Sequence, residues 1–146
     1  MHIKEFMAQD HKDCDSLFAD AETAAAAENW DQATQSFKAF IAAMEHHLGM
    51  EENVLFPAFE QATGMTMGPT QMMRMEHAQM RELFSEMQEA VDNKQSDDYL
   101  GSGETLLILM QQHNMKEEQI LYTMLDQHLH EDSDQFYEKF QARDND

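Results

Sequence analysis

The feature that most constrains this chain is an internal repeat, in which two separated stretches each recur at one common offset. Asp10-His11-Lys12-Asp13-Cys14-Asp15-Ser16-Leu17-Phe18 aligns with Glu76-His77-Ala78-Gln79-Met80-Arg81-Glu82-Leu83-Phe84. An acid, a His, a sulfur-bearing residue, a Leu and a Phe match in place. His47-Leu48-Gly49-Met50-Glu51-Glu52-Asn53-Val54-Leu55-Phe56 aligns with His113-Asn114-Met115-Lys116-Glu117-Glu118-Gln119-Ile120-Leu121-Tyr122. Here the His, both Glu, the β-branched residue, the Leu and the aromatic ring match. One offset serving both stretches means two halves of one design. Each half carries a His on its first segment and His-x-x-x-Glu on its second.

The segments read as helices. Apolar residues recur at three- and four-residue steps, and no alternating strand pattern competes. Helices are expected over about 3–27, 30–61, 69–91, 96–129 and a short 133–142. The stripes run Ile3, Met7, His11, Cys14, Phe18, Ala21, Ala25; then Ala33, Phe37, Phe40, Met44, His47, Glu51, Val54, Ala58. In the second half they are Met73, His77, Met80, Phe84, Met87, Val91, then Leu106, Met110, His113, Glu117, Ile120, Met124. Pro57 lies inside the second helix and should kink it. Four long amphipathic helices with short connections predict an all-α, up-down-up-down antiparallel four-helix bundle, with residues 1–146 as one domain.

Composition narrows the partners. The 29 acids against 9 Lys and Arg give a net charge of −20, which repels nucleic-acid backbones and anionic membranes. No apolar run reaches membrane-span length, and Met1-His2-Ile3-Lys4-Glu5 has no signal-peptide pattern, so a cytoplasmic location is expected. The single cysteine, Cys14, excludes a disulfide framework, and its place on the first stripe reads as a small buried hydrophobe. The 14 methionines read as core filler rather than copper ligands.

The histidines decide the chemistry. His47 and Glu51 are four residues apart, about 40° of rotation and about 6 Å of rise, so both project from one face. His113 and Glu117 repeat this. His11, His47, His77 and His113 each lie about 18 residues from the connection that joins their hairpin, and equal distances from a turn mean equal heights. Four imidazoles and two carboxylates therefore meet in one layer. Buried carboxylates without a partner cost several kcal/mol, which a cation removes. A metal-free hydrogen-bond network is the bland competitor. Mixed imidazole and carboxylate donors suit iron, manganese or zinc, but six are too many for one tetrahedral zinc and suit a bridged pair. His46 points off the stripe, and His2, His128 and His130 lie near helix ends; all four read as surface residues.

Asp10-His11, His47 to Pro57, Glu76-His77 and His113 to Glu118 together resemble the hemerythrin-like proteins with an HHE cation-binding domain. The resemblance spans nearly the whole chain. It implies a four-helix bundle with two non-heme irons, oxo- or hydroxo-bridged. It also implies that Glu51 and Glu117 bridge the irons and that His11, His47, His77 and His113 fill terminal positions. Hemerythrins proper use a carboxylate five residues after the last His, which keeps Glu118 as an alternative to Glu117. They also carry a fifth His where this chain has Met73, whose thioether suits ferric iron poorly.

That departure changes the count of open positions. Two six-coordinate irons offer twelve. Two bridging carboxylates take four, a bridging oxygen two and four histidines four, leaving two open where five histidines leave one. The expected function is binding, sensing or storage of dioxygen or a similar diatomic. The alternatives are a di-iron enzyme acting on peroxide or nitric oxide, and iron donation in iron–sulfur cluster repair. Repair proteins of the family carry a further N-terminal segment with cysteines, which this sequence lacks. A metal-free or zinc-loaded interaction bundle, marked by an exposed Met stripe, is the third reading.

Overall fold

Each half of the chain forms its helices in the same places, because the same residues start and stop them. The computed structural model describes residues 1–144. Its elements are α1 (Ile3–Ala26), α2 (Trp30–Met50), a π-helical turn (Glu51–Leu55) and α3 (Phe56–Thr63). The second half has α4 (Pro69–Asp92), α5 (Ser96–Lys116), a second π-helical turn (Glu117–Leu121) and α6 (Tyr122–Leu129). A 3-10 turn (His130–Asp132) leads into α7 (Ser133–Asp144). Every boundary from Ile3 to Thr63 recurs at the offset of the sequence repeat, from Pro69 to Leu129.

The repeat reaches the backbone of the turns. Glu28 and Lys94, which correspond in the two halves, both adopt the left-handed conformation, with φ of 58° and 54°. Around them Asn29 N–H donates to Ala24 O at 3.0 Å, and Gln95 N–H donates to Ala90 O at 2.9 Å. These bonds satisfy carbonyls that the helix ends would orphan. At the other end of the bundle Gly64 closes α3 at φ 73°, a conformation that favours glycine. The first amides of α1 are capped from α6. Ile3 N–H and Lys4 N–H donate to the Asp126 carboxylate at 2.8 and 3.1 Å.

Four rods result: α1, α2 with α3, α4, and α5 with α6. They form the expected all-α four-helix bundle, and α7 closes one end with Phe136 and Phe140. Two apolar clusters fill the bundle. One, built around Phe18, Phe37, Phe40, Phe84 and Tyr99, lies toward the α1–α2 and α4–α5 turns. The other, built around Phe6, Leu55, Phe56, Phe59, Tyr122 and Leu125, lies toward the termini. His11, His47, Glu51, His77, His113 and Glu117 are buried as well; His11, His77 and the His113–Glu117 pair separate members of the two clusters in sequence along their rods.

The expected stripes hold as far as Glu51 and Glu117 and then change register. Val54 is half-buried and Ile120 is 58% exposed, while Leu55, Phe56, Phe59 and Leu121, Tyr122, Leu125 take the core positions. The cause is the π turn, which inserts one extra residue per turn. Phe56 N–H bonds to Glu51 O, and Tyr122 N–H to Glu117 O, both across five residues. The irregularity expected of Pro57 is therefore a π turn just before it. Proline is not its common cause, since the second π turn has none. Both turns begin at a buried Glu. The methionines also divide: Met7, Met44, Met50, Met73, Met80, Met87 and Met110 are buried, but Met65, Met67, Met72, Met75 and Met115 are exposed, so core filling explains only part of them. His46 is half-buried rather than on the surface, its ring 4.7 Å from that of Phe140.

Phe40 is fully buried in the first cluster. Truncating it to Ala should cost about 3–5 kcal/mol. Gly103 lies inside α5, where an added Cβ would sit 3.5 Å from Met87 Cε, an ordinary contact. Gly103→Ala should therefore stabilise by about 0.5–1 kcal/mol. Urea unfolding midpoints at constant slope test both signs.

Candidate metal centre

Four rods contribute to the buried polar layer in the same way. α1 supplies His11, α4 supplies His77, and the ends of α2 and α5 supply His47 with Glu51 and His113 with Glu117. Each carboxylate reaches both halves. Glu51 places Oε2 3.7 Å from His47 Nε2 and Oε1 3.0 Å from His77 Nε2. Glu117 places Oε1 3.1 Å from His11 Nε2 and Oε2 3.3 Å from His113 Nε2. Two donor groups follow, His11, His47 and Glu117 on one side and Glu51, His77, His113 and Glu117 on the other, each with donor atoms within 4.8 Å of one another.

These close approaches are not all hydrogen bonds. Glu51 Oε1, Glu117 Oε2, His77 Nε2 and His113 Nε2 are buried and make none. Leaving such atoms unsatisfied costs about 1–3 kcal/mol each, more for charged groups. Lone pairs that converge without a shared proton are what a cation requires. Mixed N and O donors fit iron or manganese, so the residues present fit the metal pair that the sequence suggests.

The outer ring nitrogens are held by a second set of carboxylates. His47 Nδ1 lies 2.8 Å from Asp10 Oδ2, and His113 Nδ1 lies 2.7 Å from Glu76 Oε1. His77 Nδ1 lies 2.8 Å from Glu52 Oε2, and His11 Nδ1 lies 2.7 Å from Glu118 Oε2. A carboxylate on Nδ1 fixes the tautomer that presents Nε2 as the donor. Asp10 and Glu76 each precede a His of the layer; Glu52 and Glu118 each follow a buried Glu of the layer. Glu118, the alternative to Glu117, thus sits outside the layer and buttresses His11. Glu52 holds His77. Arg81 grips Glu52 with bonds of 2.8 and 3.0 Å, and Lys116 pairs with Glu76.

Electrostatics follow from burial. Burial opposes charge on His47, but Glu51, Asp10 and Glu117 outweigh it and lift its pKa to about 9. His113 is lifted to about 9 against burial by Glu117, Glu51 and Glu76. Burial and the neighbouring Glu117 push Glu51 up. Glu117 is held well below the usual range, because His113, Glu51 and His11 overcome the burial effect. The two carboxylates are thus pushed in opposite directions, as for like charges sharing a site.

Tyr122 is the residue that helical spacing missed. Its ring is fully buried and stacks 5.6 Å from that of His11. Its hydroxyl lies 2.7 Å from Glu51 Oε2 and 2.9 Å from Glu117 Oε1. It is also 3.1 Å from His11 Nε2 and 3.3 Å from His47 Nε2. Burial, Glu117 and Glu51 all push its pKa well above the phenol value. The matching residue, Phe56, stacks 5.8 Å from His77 and offers no polar atom. The repeat did align Phe56 with Tyr122. On a regular helix, however, the fifth residue after a Glu faces elsewhere, and only the π turn brings it to the same face.

Met73 and Cys14 are buried, on opposite sides of the layer. Cys14 lines a small cavity with His11, His47, His113, Met80 and Met110, of about 10 Å³.

The curated proteins and the solved structures contain no match to this chain. The family model described as the hemerythrin HHE cation-binding domain matches residues 2–125, a span that holds every member of the buried layer. The chain belongs to the hemerythrin HHE cation-binding family.

Proposed function

We propose that the chain is a non-heme di-iron protein that binds dioxygen or a related small diatomic ligand. The observation that carries this reading is the split of Glu51 and Glu117, each with one oxygen toward His11 and His47 or the hydroxyl beside them and the other toward His77 and His113. Two irons supply redox-active positions open to a small ligand. The protein supplies the rest. His11, His47, His77 and His113 are the terminal donors, and Asp10, Glu52, Glu76 and Glu118 hold their rings in place. The apolar clusters on both sides exclude bulk water. The adjoining cavity, lined by thioethers, a thiol and imidazoles, has room for about one water-sized molecule, which favours a diatomic over an organic substrate.

A second reading is turnover of peroxide or nitric oxide, or release of iron to an iron–sulfur site. It is favoured by the presence of four imidazoles in the layer, with Met73 in the place of a fifth. Optical spectra of the reduced protein exposed to air separate the readings. A visible band that appears with air and reverses under vacuum supports ligand binding. Immediate irreversible conversion to the ferric form supports reactive chemistry.

The purified protein should hold about two irons per chain by elemental analysis, following the two donor groups. Glu51→Ala or Glu117→Ala should empty the site, and full loading of both variants would refute the bridging assignment. Asp10→Asn and Glu76→Gln remove equivalent supports, so each should weaken iron binding by roughly 10–100-fold. Competition with a chromophoric chelator measures that loss, and unchanged affinity in both would show the outer carboxylates to be idle.

A further inference from the structure

We infer that Tyr122 Oη is itself a donor to the metal on the His11–His47 side, which makes the two metal positions unlike. This rests on the di-iron reading. The hydroxyl approaches one atom from each of His11, His47, Glu51 and Glu117, at 3.1, 3.3, 2.7 and 2.9 Å. An octahedral ion with bonds of about 2.1 Å sets neighbouring donors about 3.0 Å apart. The four separations therefore match those between Oη and neighbouring donors of one ion, and three of these donors, from His11, His47 and Glu117, lie within 4.8 Å of one another. The phenol has a single proton, so it can donate to only one of the two carboxylate oxygens at a time.

The other half has no counterpart. Phe56 occupies the equivalent position, so the His77–His113 side has two imidazoles and two carboxylate oxygens only. Tyr122 then takes one of the two positions that four histidines leave open. The remaining one lies on the His77–His113 side, and small ligands bind there. The surroundings are unlike in the same sense. Arg81 and Lys116 neutralise the carboxylates behind His77 and His113. The corresponding positions of the first half are Asp15 and Met50, so the His11–His47 side is the more anionic. An anionic donor set favours the more highly charged ion.

Ligation replaces the phenol proton: the O–H bond breaks as the Oη–metal bond forms, and the proton leaves to solvent. The test loads wild type and Tyr122→Phe with ferrous iron without oxygen, oxidises both with ferricyanide, and records iron content, visible absorption and resonance Raman spectra. Wild type should show a visible phenolate-to-ferric charge-transfer band with phenolate ring vibrations, and the variant should lose both while keeping its iron. Tyr99 packs against Phe37 and Tyr137 against Phe6, away from the layer, so the signal reports Tyr122 alone. Two irons per chain with the same spectra in both proteins would overturn the Tyr122 assignment and leave the di-iron reading standing. Failure of wild type to bind iron would overturn both. If the variant does not fold, wild type decides: ferric, two-iron protein without phenolate vibrations refutes the assignment.

Discussion

Two carboxylates buried at the middle of a helical bundle are the constraint on which this structure turns. Glu51 and Glu117 are fully inaccessible to solvent, and each has an oxygen without a hydrogen bond. An arrangement so costly survives only where other groups offset it. Four imidazoles converge on the pair, four outer carboxylates orient the imidazoles, and Arg81 and Lys116 balance two of those carboxylates. The apolar clusters above and below hold the rods at the spacing this layer needs. The polar layer in turn sets the register of the rods, since a slip of one residue would bury the charges against Phe or Met.

The π turns serve the same layer. Each begins at a buried Glu and ends one residue before an aromatic ring that stacks on an imidazole of the layer. Widening the helix lets a Glu and the residue five later share one face. A regular α-helix would have turned Phe56 and Tyr122 away from the cluster toward the termini. Local irregularity is thus tied to the site rather than to Pro57.

The near-perfect two-fold repetition makes its breaks informative. Boundaries, turn backbones and outer hydrogen bonds all recur from one half to the other, so a difference between halves is a chemical difference against a matched background. Tyr122 against Phe56, Arg81 against Asp15 and Lys116 against Met50 are such differences. They bear on the same layer, and they separate two positions that the helices alone would make equivalent.

The sequence by itself determined the helices, the bundle and the six residues of the layer. Periodicity reports which face of a helix is apolar, and equal distances from a turn report height; both are local counts. It also carried the family resemblance, through His and Glu spacings spread over all four rods. The tertiary structure decided the rest. Which carboxylates stand behind the imidazoles depends on contacts across helices 25 to 107 residues apart in sequence, beyond any local spacing. That Val54 and Ile120 leave the core while Tyr122 enters it depends on the π turn. Backbone hydrogen bonding shifts there by one residue, and the sequence pattern carries no separate mark of it. Helical counting assumes a constant rotation per residue, and it fails just where the π turns begin, at Glu51 and Glu117.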